Sequence, residues 1–312
     1  MPDILTITLN PAVDVSTSVA RIAAAHKLRC APERRDAGGG GVNVARMIRR
    51  LGGDVAAAYP AGGPIGQLLQ RLVEAEGVPS LVTPIMGDTR ENFTVCETET
   101  QKELRFVLPG AALSKEELSA CLDSVRGAEP SPKYVIASGS LPPEAPANTY
   151  AQLAAAAKAR GAKVILDCSG PPLRAALDEG VFLVKPSLRE LQELVGAEVQ
   201  DEPALIDATR RLVREGRAEI VALSMSEKGA LVVTESEVLR ADAIDVPVAS
   251  SVGAGDSFLA ALVWALARGE AVDTALRYAV GAGAAALLSP GTELARADDV
   301  LRLADQARPR RL

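Results

Sequence analysis

The densest chemistry in the chain lies at 250–258, Ser250-Ser251-Val252-Gly253-Ala254-Gly255-Asp256-Ser257-Phe258. Small residues lead into a carboxylate, and an apolar helical pattern begins at that point. Two glycines let successive N–H groups turn into one concavity. A helix N-terminus adds unpaired donors and the positive end of its dipole. Such a loop attracts an anion. A carboxylate there makes sense if it takes a proton from a nucleophile facing a phosphate, while the loop holds the charge that develops on the transferred group. The competing interpretation makes Asp256 a plain N-cap and the glycines a tight turn.

A second cluster, Gly38-Gly39-Gly40-Gly41-Val42-Asn43, runs four glycines into a helix. Ordering that many glycines is costly. Close approach of backbone to a ligand explains them better than a hinge, with Asn43 supplying directional hydrogen bonds. The pattern is not a dinucleotide fingerprint, because it does not follow the first strand and Asn43 replaces the third glycine. No G-x-x-x-x-G-K-[ST] exists, which excludes a P-loop. Arg90 and Arg105 flank one β-rich piece and Lys27 lies in another; the three could clamp a phosphate, or be ordinary exposed strand charge. Lys185-Pro186-Ser187-Leu188-Arg189-Glu190 sets a cation before a hydroxyl and a carboxylate three apart. That is a capping box, and also a place where Glu190 could hold Mg²⁺ through water. The single histidine, His26, reads as an ordinary polar residue, and no G-x-S-x-G elbow accompanies it,.

The elements that must position these residues alternate strand and helix. Strands are expected at 4–9, 55–60, 134–137, 163–166, 182–184 and 220–223. Helices are expected at 42–51, 66–76, 114–125 (Ser114 and Glu117 forming a capping box), 149–160, 188–195, 204–216, 255–268, 272–288 and 297–307. Hairpins are expected at 91–99 with 103–108, and at 229–233 with 238–243. Such alternation implies a parallel sheet covered on both faces, with ligands beyond the carboxyl ends of its strands. Polar clusters fall there: 10–14, 138–140, 167–169, 185–190 and 224 onward. Two β-rich pieces, within about 14–35 and 91–108, break the rhythm and could form a lid.

A chain of 312 residues could form one large α/β domain or two ordinary ones, and a composition 48% apolar but only 3% aromatic suits helices packed closely on a sheet. The net charge is −6 and basic pairs are short, so no nucleic-acid footprint is expected. Apolar runs are too short to span a bilayer. Cys30, Cys96, Cys121 and Cys168 are scattered without C-x-x-C, which points to a reducing, cytoplasmic setting.

Together the Gly38–Asn43 and Val252–Asp256 segments, in this order and separation, resemble the signatures of the ribokinase-like (PfkB) carbohydrate kinases. The nearest likeness is to the minor bacterial ATP-dependent 6-phosphofructokinase branch. Thr8–Asp14, Lys27–Cys30, Pro60–Gly63, Thr89-Arg90, Arg105–Gly110 and Ser138–Pro143 support it, and it covers essentially the whole chain. The resemblance implies a three-layer α/β/α fold over 1–312 with a small β-sheet lid. It implies transfer of the γ-phosphate of MgATP to fructose 6-phosphate, with tagatose-6-phosphate kinase and 1-phosphofructokinase as alternatives. A sugar-phosphate-binding regulator on the same scaffold is the non-enzymatic alternative. Asp256 would be the base and Gly253, Ala254 and Gly255 the anion hole. Asp14, Gly39, Gly40 and Asn43 would hold the sugar, and Arg90 its phosphate, helped by Lys27, Arg105 and Ser140. Lys185, Ser187, Ser224 and Gly229 would line the ATP site, and Glu190 would organise Mg²⁺. A K⁺ ion would sit near Ser250, Val252, Ala286 and Gly291, and the lid strands would join a homodimer. Three positions depart from the pattern: Ser187 replaces an asparagine, Ser226 a common glycine, and Glu293 a frequently basic residue.

Overall fold

A computed structural model describes residues 2–23, 27–196, 198–199 and 201–312; His26 lies outside them. Among the described residues, ten strands form the central sheet: β1 (Ile4–Ile7), β4 (Val55–Ala61), β5 (Ser80–Pro84), β8 (Tyr134–Ser138), β9 (Lys163–Asp167), β10 (Val181–Val184), β11 (Ala218–Ser224), β12 (Ala230–Val233), β13 (Val238–Ala241) and β14 (Arg310–Arg311). Their order is β14-β13-β12-β11-β10-β9-β8-β1-β4-β5. From β11 to β5 every neighbouring pair is parallel, and the β12–β14 edge is antiparallel. The chain leaves β1 toward β4 and β5, then returns to β8 on the other side. That reversal opens a crevice at the carboxyl ends of β1 and β8. The strand ends singled out for polar residues, β1, β8, β9, β10 and β11, are consecutive in space.

The strands are apolar on both faces because both are covered. One face carries α1 (Gly40–Arg50), α2 (Gly63–Ala75), α8 (Ala254–Ala267), α9 (Val272–Leu287) and α10 (Ala297–Ala304) over a core that includes Ile4, Ile165, Leu183 and Ile220. The other carries α3 (Lys115–Arg126), α4 (Thr149–Ala159), α5 (Gly170–Leu177), α6 (Leu188–Val195) and α7 (Glu202–Arg214) over Leu5, Ile7, Leu166 and Val221. Helix α8 is buried at every residue from Ser257 to Ala265, so its continuous apolar run fits a helix enclosed on all sides. The expected capping box at Ser114 is formed, with Glu117 N–H on Ser114 Oγ at 3.1 Å and Ser114 N–H on Glu117 Oε2 at 2.8 Å.

A separate sheet of order β3-β2-β6-β7 comes from β2 (Ala12–Val19), β3 (Arg34–Gly38), β6 (Arg90–Glu97) and β7 (Lys102–Phe106). Strand β2 runs parallel to β6, with Asp14 opposite Asn92, and antiparallel to β3, with Asp14 opposite Asp36. The first β-rich piece therefore begins at Ala12 and ends inside the glycine run. Gly40 and Gly41 are already helical, so α1 starts two residues before the apolar pattern announces it. Helix α5 was not expected, because Pro171-Pro172 reads as a loop. Proline at a helix's first positions costs nothing, since those N–H groups have no helical partner. Strand β5 also escaped, being a short edge strand that ends in Pro84.

Candidate active site

Helix α8 begins where Gly253 takes φ 76°, a left-handed conformation that a Cβ would strain. The first helical bond is Ser257 N–H to Gly253 O at 2.8 Å. The N–H groups of Gly255 and Asp256 therefore have no partner inside the helix. Asp256 is the third helical residue and makes no capping bond, which sets aside the plain N-cap interpretation. Its Oδ2 accepts from Asn43 Nδ2 of α1 at 2.8 Å. Burial first, then the Asp167 charge, pushes the Asp256 carboxyl up to about 6, against the opposing pull of Asn43, Lys185 and Arg105. Such a group is mostly ionised at neutral pH yet a stronger proton acceptor than an ordinary aspartate.

Lys185 follows β10 and is buried. Its Nζ lies 3.0 Å from Asp167 Oδ1 at the end of β9. A Cβ added to Gly255 would stand 3.6 Å from the same ammonium, so Lys185 faces the α8 N-terminus. Burial works to lower its pKa, but Asp167, Glu190 and Asp256 outweigh that and hold the ammonium charged. Ser187 caps α6 with Glu190: Glu190 N–H donates to Ser187 Oγ (3.3 Å), and Ser187 N–H to Glu190 Oε2 (2.8 Å). The capping role is thus real, and it leaves Glu190 Oε1 for other work. Ser224 N–H donates to Pro186 O at 3.0 Å, joining the Lys185 loop to the end of β11. Beyond it Ser226 adopts φ 49° and Gly229 φ 81°. The left-handed turn at 226 is where glycine would sit without strain. Gly229 shapes this turn against Ala241 and Ala243.

The other end of the crevice is built around Asn10 and Arg90. Asn10 Nδ2 reaches Pro109 O (3.0 Å), Leu141 O (3.3 Å) and Ser140 Oγ (3.4 Å). Arg90 donates Nη1 to Leu108 O (2.6 Å) and Nη2 to Asn10 O (2.7 Å); its buried Nε has no protein partner among the described residues. Asp14 is buried, accepts from Asn92 Nδ2 at 2.8 Å, and lies so close to Gly38 that no side chain fits there. Gly39 caps α1 at φ 105°, and Gly40 packs on Ser138 and Gly139. Arg105 is exposed on β7 yet near enough to act on both Arg90 and Asp256. Lys27 stands apart: it is exposed and forms no ion pair among the described residues. Sequence reasoning missed Asn92, and gave Asp167 no role although it ends the strand beside Lys185.

Ala249 N–H donates to Leu287 O at 2.7 Å, which sets the 250–252 loop beside the end of α9. Ser250 Oγ donates to Glu103 Oε2 of β7 (3.0 Å) and accepts from Val252 N–H (3.2 Å). Ala286 O accepts from Ser289 N–H (3.1 Å), and Gly291 turns at φ 58° against Ser16 of β2. Neutral carbonyl and hydroxyl oxygens of this kind suit a weakly held monovalent cation. Asp167 and Glu190 act on each other across Lys185. Two carboxylates beside an open helix N-terminus suit Mg²⁺, which keeps much of its water and needs few protein ligands.

An open, glycine-walled helix N-terminus, a carboxylate within it and a small separate sheet are the features of a class of group-transfer enzyme. The chain belongs to the pfkB family of carbohydrate kinases, whose model matches residues 5–298. The ATP-dependent 6-phosphofructokinase isozyme 2 of Mycobacterium tuberculosis is 45% identical over 306 residues, 98% of this chain and 90% of the relative. The 1-phosphofructokinase of Xanthomonas campestris is 35% identical over 84% of this chain and 83% of that relative. The crystal structure of Escherichia coli phosphofructokinase-2 in complex with potassium superposes with a TM-score of 0.93 at 37% identity, covering 98% and 99% of the two chains. The fold is ribokinase-like, and the protein is an enzyme, which removes the non-enzymatic alternative.

Proposed function

We propose that the enzyme moves the γ-phosphoryl group of MgATP to the 1-hydroxyl of fructose 6-phosphate, giving fructose 1,6-bisphosphate and ADP. The sugar O1 forms the new P–O bond, the bond from Pγ to the ADP oxygen breaks, and the hydroxyl proton passes to Asp256. The carrying observation is Asp256 itself, a carboxylate raised to about 6 at the mouth of the α8 anion loop. Its Oδ2 is held by Asn43, which leaves Oδ1 to take the proton. Gly253, Ala254 and Gly255 hold the transferring group, and Lys185 neutralises its charge. Ser187, Ser224 and Gly229 shape the nucleotide site. Glu190, with Asp167, would hold Mg²⁺, which supplies charge neutralisation on the phosphates. Asp14, Gly39, Gly40 and Asn43 hold the sugar, and Arg90, Arg105, Ser140 and Lys27 its phosphate. K⁺ would sit on the Ser250, Val252, Ala286 and Gly291 loops.

The lid supports a homodimer. Strand alternation puts Phe93, Val95, Leu104 and Phe106 on one face, and Phe93, Leu104 and Phe106 are 39%, 44% and 53% exposed. Apolar area of that kind invites a second copy. Four free cysteines suit the proposed cytoplasmic setting,. Similarity to a 1-phosphofructokinase as well keeps a second substrate reading open, in which the same machinery serves fructose 1-phosphate. Tagatose 6-phosphate belongs to the same test. ADP release from MgATP is measured with fructose 6-phosphate, tagatose 6-phosphate, fructose 1-phosphate and free fructose. A dominant kcat/KM for fructose 6-phosphate is expected. Preference for another phosphosugar moves the specificity, and silence with all four contradicts the proposal.

A further inference from the structure

Arg46 lies three residues after Asn43 on α1 and is only 1% exposed. Its Nε and Nη2 donate to Glu76 Oε1 at 3.0 and 2.7 Å. Its Nη1 donates to Ala37 O at 2.5 Å and to Asn43 Oδ1 at 3.3 Å. Asp36 of β3 stands 3.6 Å from Nη2. Glu76 is shared with Arg50, whose Nη1 reaches Leu294 O and Ala295 O at 3.0 and 3.2 Å. The guanidinium is thus anchored on two sides before it touches Asn43.

A guanidinium has donors only, so it can meet Asn43 only through the amide oxygen. That choice turns Nδ2 toward Asp256. An unconstrained side-chain amide presents either end, and the flipped form would set Oδ1 against the Asp256 carboxylate, two acceptors facing each other. We propose that Arg46 is a positioning residue for phosphoryl transfer: it locks the Asn43 amide in the one orientation that donates to Asp256. The inference rests on Asp256 being the base. The charged groups facing Asp256 are Asp167 at the end of β9, Lys185 after β10 and Arg105 of β7. Those facing Arg46 are Asp36 of β3 and Glu76 after α2. Of the contacts on Asp256, the Asn43 bond is the one Arg46 reaches.

The test is the pH profile of kcat/KM for fructose 6-phosphate in Arg46→Gln combined with Glu76→Gln. The pair removes one cation and one anion, and glutamine, both donor and acceptor, no longer dictates the amide's orientation. The acid limb should move up by about one pH unit, the scale of a lost hydrogen bond to a charged group, with KM within about twofold. The sugar phosphate titrates in the same range but is common to all variants, so the difference is read. Asn43→Leu, which removes the donor outright, should move the limb up at least as far, and adding the Arg46/Glu76 pair to it should move the limb no further. Arg46→Lys, still a donor-only cation, should keep the limb close to wild type, as should Glu76→Gln alone. An unmoved limb in the folded pair variant overturns the proposal. So does an additive shift in the Asn43→Leu background. If the pair variant does not fold, a limb displaced by a full unit in Arg46→Lys overturns it equally. Near-normal turnover in Asp256→Asn would instead fault the assignment of the base. Loss of turnover there with an unmoved limb in the pair variant faults Arg46 alone.

Discussion

Gly255→Ala separates function from stability more cleanly than any other change at this site. Gly255 is the second residue of α8 and is exposed at the crevice. Its φ is ordinary, so alanine is not strained there. The nearest atom to an added Cβ is Lys185 Nζ at 3.6 Å, normal van der Waals contact. A helical Gly→Ala change stabilises by up to about 1 kcal/mol. The methyl, however, would stand beside the Lys185 ammonium at the α8 N-terminus, where the transferring group is proposed to lie. Displacing that group from its donors should lower kcat by about 10²–10³-fold. The two readouts are kcat from coupled ADP release and the urea midpoint. The account predicts a midpoint equal to or above wild type together with the large loss of kcat. Gly40→Ala is the contrast, since its Cβ would collide with Ser138 and crowd Gly139 N at 2.9 Å; there stability should fall with activity. A Gly255→Ala enzyme turning over within about threefold of wild type would refute the anion-hole reasoning.

Glu76→Gln should destabilise the fold in a pH-dependent way. Burial raises the Glu76 carboxyl, but Arg50 and Arg46 overcome this and bring it from 4.5 to about 2. A folded-state pKa depressed in this way gives stability that is complete above pH ~4.5 and lost as pH falls toward ~2. The gap between wild-type and variant urea midpoints should correspond to roughly 2 kcal/mol at pH 7 after allowance for solvent screening, and shrink to about a quarter of that at pH 2.5; a gap of unchanged size there would contradict the pairing. Arg90→Ala should raise KM for the phosphosugar about 10–100-fold, as expected for lost charge-assisted hydrogen bonds, with KM for MgATP little changed. An equal loss with free fructose would show that Arg90 does not grip the phosphate.

What the sequence disclosed followed the range of the interaction. Ser114 with Glu117, and Ser187 with Glu190, are capping boxes closed within four residues, and both were legible. So were the strand ends of the crevice, because apolar runs that stop at polar residues mark the carboxyl edge of a parallel sheet. Pro171-Pro172 concealed α5, since proline signals a break and a helix start alike. The Asn43–Asp256 bond joins residues 213 apart, and the Asn92–Asp14 bond residues 78 apart. No local pattern pairs such residues; β2 and β6 had to lie parallel in the small sheet first. Nothing local in the sequence singles out Arg46, and its burial between Glu76 and Asn43 emerges only once α1 and α2 are packed.

If Asp256 accepts the proton in phosphoryl transfer, Asp256→Asn removes the acceptor and nothing else. Asparagine keeps the size of the side chain and removes its basicity. The account predicts kcat lower by about 10²–10⁴-fold, with the urea midpoint and the binding of MgATP and fructose 6-phosphate preserved. Turnover within about tenfold of wild type in a folded Asp256→Asn enzyme would remove Asp256 from the role and contradict the mechanism built on it.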